Sequence, residues 1–173
     1  MWGSWIWMDC KYPLPRIPTD HYRKNASLRF GAVRKDSATG KLTRKHAGVD
    51  LPIGGGTAVF AVAAGTVCYV NKTFFKSSNG LVVQSIAINH DDAFIAHYCE
   101  VIIASGLGEG TQVEQGQRIA EVGRMQTPML HFEMYSGVQT GALLGYANPY
   151  RRREDLIDPT NQLDAWERAV LGG

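Results

Sequence analysis

From residue 46 to residue 137 the apolar positions come in short runs and alternations, with no sustained 3.6-residue period. Residues 57–71 (Thr-Ala-Val-Phe-Ala-Val-Ala-Ala-Gly-Thr-Val-Cys-Tyr-Val-Asn) are β-branched and apolar, interrupted at Gly65. Residues 81–90 alternate, with Val83, Ser85, Ala87 and Asn89 on one face and Val82, Gln84, Ile86 and Ile88 on the other. Residues 93–104 read as another strand, entered through a tight turn at Asp91-Asp92. Val113, residues 119–122 and residues 129–135 supply shorter strands, with Gly108, Gly110, Gly116 and Gly123 between them. In the last of these, Leu130, Phe132 and Met134 share an apolar face, while Met129, His131 and Glu133 share the other. Short strands at this spacing, punctuated by glycine, predict an all-β fold, a sandwich or barrel.

The two ends have a different texture. Residues 1–28 form an irregular arm, because Pro13, Pro15 and Pro18 forbid a regular helix there. Residues 31–45 are polar and basic and read as a loop with a turn at Gly40; the charges are expected to face solvent. Residues 161–171 fit one short amphipathic helix with Leu163, Trp166, Ala169 and Val170 inward, and the triplet Arg151-Arg152-Arg153 before it is expected at the surface. The reading is one domain over residues 1–173: an arm (1–28), a core (29–137) and a C-terminal extension (138–173).

Composition narrows the function classes. Hydrophobic residues make up 45% and charged residues 20% of the 173, the balance of a globular protein. Eighteen Lys and Arg against sixteen Asp and Glu leave a net charge of +2, too even for a nucleic-acid binder that works by bulk charge. No apolar run approaches the ~20 residues of a membrane span. Cys10, Cys68 and Cys99 are far apart and odd in number, so neither a disulfide framework nor a thiolate zinc knuckle is expected. The first eight residues are apolar but lack a basic segment and run directly into Asp9 and Lys11, so no conventional secretory signal is visible.

Two of the five histidines acquire partners from the pattern. His46 and Asp50 lie four residues apart; in an extended chain they point the same way, with Gly48 between them leaving space for an ion. Imidazole and carboxylate together suit zinc, although this spacing alone is a weak sign. His131 stands on the less apolar face of its strand. Two histidines and one carboxylate would make three ligands and leave a fourth tetrahedral position for water, the open arrangement of catalytic zinc. Zinc would bring the pKa of that water to about 7 and polarise a substrate carbonyl.

At this point the chain resembles a known family. Residues 46–52 (His-Ala-Gly-Val-Asp-Leu-Pro), followed by residues 56–67, are similar to the first metal motif of the M23 zinc metallopeptidases, the lysostaphin and LytM-like peptidoglycan endopeptidases. Residues 94–98 (Phe-Ile-Ala-His-Tyr) resemble the strand that carries a catalytic histidine. Residues 113–123 resemble the hairpin before the last motif, and residues 130–133 (Leu-His-Phe-Glu) that motif itself. The resemblance spans about residues 29–137 and implies an antiparallel β-sandwich or barrel-sandwich hybrid core. It also implies Zn2+ held by His46, Asp50 and His131, with His97 orienting the attacking water or stabilising the oxyanion. Glu133 is implied in a supporting role.

The sequence departs from the family where a second histidine precedes the last ligand by two residues; here that residue is Met129. A thioether cannot transfer a proton, and losing one positioned acid–base group costs roughly 10²–10⁴ in rate. The leading expectation is a zinc endopeptidase that cuts stem-peptide or cross-bridge amides of bacterial peptidoglycan. The alternative is a zinc-bearing, catalytically impaired domain that binds cell wall or regulates another hydrolase. A third possibility, a biotinyl or lipoyl carrier, lacks the required lysine at a hairpin tip. A substrate outside the cytoplasm implies action in the periplasm or cell wall after specialised export or lysis, and an exported effector implies a cognate immunity protein. The groove walls that set specificity are expected in loops 31–45, 71–80 and 138–150.

Overall fold

The computed structural model describes residues 9–36, 38–91, 93–137, 142–145 and 148–172. The opening eight residues, Asp92 of the expected turn, and residues 138–141 and 146–147 of the third groove loop lie outside the described residues. In chain order the strands are β1 (Val33–Lys35), β2 (Leu42–Lys45), β3 (Val49–Pro52), β4 (Ala58–Phe60), β5 (Gly65–Lys76) and β6 (Val82–His90). They continue with β7 (Phe94–Ile103), β8 (Gln112–Val113), β9 (Arg118–Val122), β10 (Met129–Tyr135) and β11 (Leu156–Ile157), and end in the helix α1 (Thr160–Leu171). The all-β reading with one short C-terminal helix therefore holds.

All pairings are antiparallel, and the sheets do not close. The main path runs β11-β10-β7-β6-β5-β8. Strand β3 lies along the first half of β10, and β9 links β7 to β4. The apolar faces of β6, β7 and β10 form one core, in which Ile86, Ile88, Tyr98, Leu130 and Phe132 are fully buried. Phe132 meets Tyr98 and Trp166 edge-on, at centroid distances of 5.3 and 6.1 Å, and so ties α1 to the sheet.

Several local expectations change. Residues 31–45 are not a loop: β1 and β2 pair as a hairpin, closed by Asp36, whose carboxylate accepts from Ala38 and Thr39. The apolar run 57–71 splits into β4 and β5, and β5 continues to Lys76, so part of the expected 71–80 loop is strand. Gly65 opens β5 because a side chain there would collide with the Asn89 carbonyl. The arm is irregular but packed, with Lys11 N–H donating to Val62 O and Phe60 N–H to Pro13 O. It reaches α1 as well, through Tyr22 to Asp164 at 2.6 Å and His21 to Glu167 at 2.7 Å. Helix α1 buries Leu163, Trp166 and Glu167, whereas Ala169 and Val170 are exposed, because the arm covers only its first turns.

Candidate metal centre and its cleft

Strands β3 and β10 bring the predicted ligands together. The register pairs Asp50 with His131 directly, and His46 precedes β3 by three residues. The Nε2 atom of His46 lies 2.9 Å from Asp50 Oδ1 and 3.0 Å from His131 Nδ1, and His131 Nδ1 lies 2.8 Å from the same Oδ1. Gly48 has another purpose than the one expected of it. Its missing side chain does not make room for an ion, because a Cβ there would collide with the Phe132 carbonyl oxygen. The glycine lets β10 approach closely enough for His131 to join the group.

Each donor is oriented from outside. His46 Nδ1 donates to the Arg29 carbonyl at 2.7 Å, which leaves the Nε2 lone pair facing the other two residues. His131 Nε2 donates to Glu133 Oε1 at 2.8 Å, which leaves Nδ1 facing them. Asp50 Oδ2 accepts from Arg34 at 2.9 Å, so Oδ1 alone points inward. Three acceptor atoms within 3.0 Å of one another repel unless a cation or proton lies among them. Burial alone would disfavour charge on His131, yet hydrogen bonds to Asp50 and Glu133 raise it to about 9. Burial likewise opposes ionisation of Asp50, but the His131 and His46 imidazoles set against it hold it well below the usual carboxylate range. Tetrahedral zinc with bonds of about 2.0–2.1 Å needs donors about 3.3 Å apart, a few tenths wider than here. The donor set therefore fits a zinc ion.

Beneath the ligands lies a polar network that the sequence reading only touched. Glu133 is fully buried and accepts from His131, from His97 Nδ1 at 3.0 Å and from Tyr135 at 2.6 Å. Arg152 adds Nε at 2.9 Å and a terminal nitrogen at 2.8 Å. Arg152 is thus a correction to the surface triplet: it is buried, Arg151 is exposed and Arg153 pairs with Asp155. No local pattern in the sequence marks this pair, since Glu133 and Arg152 are nineteen positions apart. Burial opposes the Glu133 charge, but His131, His97 and Arg152 hold it well below the ordinary range.

His97 sits one step from the ligands, with Glu133 between it and His131. Its Nδ1 meets Glu133, its Nε2 lies 2.8 Å from Ser85 Oγ, and the residue is 1% exposed. Phe74 stands edge-on to its ring at 5.8 Å. His90 is elsewhere, donating Nδ1 to the Ala64 carbonyl at 3.0 Å. His97, Cys99 and Glu133 also bring donor atoms within 4.8 Å of one another. Burial pushes the Cys99 thiol well up, however, and the Glu133 oxygens are already engaged.

The three candidate ligands open onto a cleft of about 900 Å³. Its walls include Arg34 and Arg44 from the β1–β2 hairpin, Phe74 and Phe75 from β5, Glu100 from β7 and Met129 from β10. Two of these wall elements are strands where loops were expected.

The sequence model of peptidase family M23 matches residues 44–146, which contain all three converging candidate ligands. The chain belongs to peptidase family M23. The family is one of peptidases, enzymes that hydrolyse peptide bonds. Among solved structures, this M23 chain is similar to a zinc-containing peptidase from Vibrio cholerae (23% identity, TM-score 0.56, 90% of this chain and 39% of that one). It is also similar to the catalytic domain of the antimicrobial peptidase lysostaphin from Staphylococcus simulans (21%, 0.55, 79% and 89%). CbpA from L. salivarius REN is a third (20%, 0.61, 94% and 99%). At these identities the likeness is one of fold. The M23 chain spans about two fifths of the length of the Vibrio cholerae structure. No curated protein matches it. Among the described residues no helix is long and apolar enough to cross a membrane.

Proposed function

We propose that the protein is a zinc-dependent endopeptidase that cuts peptide bonds in bacterial peptidoglycan. The observation that carries this reading is the convergence of His46 Nε2, Asp50 Oδ1 and His131 Nδ1 in the lining of an open cleft. When bound there, zinc would supply Lewis acidity toward a substrate carbonyl and lower the pKa of a water. The chain's own residues do the rest. Glu133 fixes the His131 ring and tautomer, Arg34 fixes Asp50, and the Arg29 carbonyl fixes His46. We assign His97 a positioning role through Glu133, with Ser85 holding its far nitrogen. The cleft, at about 900 Å³ and bordered by the β1–β2 hairpin and β5, has the volume to hold a stretch of peptide.

Peptidoglycan follows from the family resemblance, and lysostaphin, an antimicrobial peptidase, is among the similar structures. With that substrate the site of action is the periplasm or cell wall, reached by specialised export or lysis; a cognate immunity protein would protect the producer. Digesting purified sacculi with and without a chelator tests the reading, and new peptide ends that vanish on chelation are the expected result. Met129 favours a second reading, a zinc-bearing domain that binds wall without cutting it. It predicts sacculus binding without release of muropeptides, and activity switched on by Met129→His.

A further inference from the structure

Strand β7 carries an irregularity at the edge of the metal centre. Tyr98 and Val101 both belong to the apolar core, as do Phe94 and Ala96, so the two-residue alternation slips by one between positions 98 and 101. The extra residue is Glu100. Cys99 pairs with Ser85 and Val101 with Gln84, which leaves Glu100 with no partner opposite. Its φ is +66°, a left-handed backbone that a glutamate rarely adopts and that costs on the order of 1 kcal/mol or more. Such a bulge re-aims a side chain out of the regular pleat.

The bulge sits at a fork. Up to Cys99, β7 pairs with β10, and Cys99 lies opposite His131; from Val101 onward it pairs with β9 instead. The Glu100 carbonyl accepts from Gly123 N–H at 2.9 Å, while its side chain lines the cleft together with His46, Asp50, His131 and Met129. The carboxylate makes no hydrogen bond or ion pair with any described residue. Burial pushes it up; His131 on β10 pulls it down, Asp50 on β3 pushes it up further, and Arg44 on β2 and Arg34 on β1 pull it down. A strained, half-buried carboxyl lining the cleft, with no bonding partner among the described residues, is unexplained by packing.

We infer that Glu100 is the proton-transfer residue of the peptidase, doing the work that Met129 cannot. This rests on the peptidase reading above. The water oxygen bonds to the scissile carbonyl carbon while one of its protons passes to the Glu100 carboxylate. The C–N bond then breaks with its electron pair on nitrogen, and Glu100 returns the proton to that nitrogen, giving a carboxylic acid and an amine.

The test uses the full chain and its Glu100→Gln and Glu100→Gly variants, each loaded with zinc and, separately, with cobalt. Glycine accepts φ +66° without strain, so the second variant keeps the fold should the first lose it. Muropeptide release should fall by roughly 10²–10⁴-fold in kcat in both, with zinc stoichiometry unchanged. The pH midpoint of the cobalt visible spectrum should move in both variants. Cleavage within threefold of the parent, or an unmoved cobalt profile, overturns the assignment and leaves the peptidase reading standing. A parent protein that binds zinc yet releases no peptide ends overturns both.

Discussion

The two faces of β10 are neighbours in sequence and both largely buried, yet they are held by different physics. On one face Leu130, Phe132 and Met134 pack among Tyr98, Ile86 and Trp166, where area removed from water does the work. On the other, His131 and Glu133 are surrounded by His97, Tyr135, Arg152 and Asp50, and every polar group has a partner. Apolar packing is tolerant of chemistry that conserves volume. A buried ionic network is not, because deleting one charge strands the others. The apolar face supplies the rigid wall; the polar face uses it to aim three donor atoms.

Isosteric changes on the two faces should therefore diverge. Glu133→Gln keeps the shape but removes the charge under Arg152, His97 and His131. It should destabilise by about 3–5 kcal/mol in urea denaturation and weaken zinc 10–100-fold in chelator competition. An effect as small as that of a core swap would break the comparison. His90 sharpens it from the other side, as an imidazole set against the apolar core beside Tyr98. Burial pushes it down from 6.5 to about 4. Because the folded value is depressed, the unfolded chain takes up the proton first as pH falls. Its contribution is whole above pH 6.5 and is lost progressively towards pH 4, about 3 kcal/mol in all. Urea midpoints at pH 7, 5 and 4 should show this loss in the parent and not in His90→Gln.

Smaller effects complete the series. Leu130→Met, fully buried on the apolar face, should cost under about 1.5 kcal/mol and leave zinc binding unchanged. Leu42→Thr, exposed on the hairpin, should lie within about 0.5 kcal/mol of the parent by thermal denaturation.

The strand order along the chain was legible because alternation reports burial on one face at a time. Residues 129–135 show it clearly, with Leu130, Phe132 and Met134 apolar and the ligand on the other side. The hairpin at 33–45 is not legible in the sequence, because both its faces are polar and its strands short, so no alternation betrays it. Periodicity predicts α1 but puts Ala169 and Val170 inward, since it cannot tell where the covering arm ends. Glu167, by contrast, is buried because His21 and Arg23 reach it from the arm.

What the sequence alone determined is the all-β class, most of the core strands and the three residues that converge as candidate ligands, since these depend on local alternation and on motifs a few residues long. Only the tertiary structure decided that Arg152 sits beneath Glu133, that Gly48 admits β10, and that Glu100 turns into the cleft. Those facts arise where strands from distant parts of the chain share a register or part from one another. A partner nineteen or fifty residues away leaves no period in the sequence, and a bulge becomes visible only once its neighbours are paired.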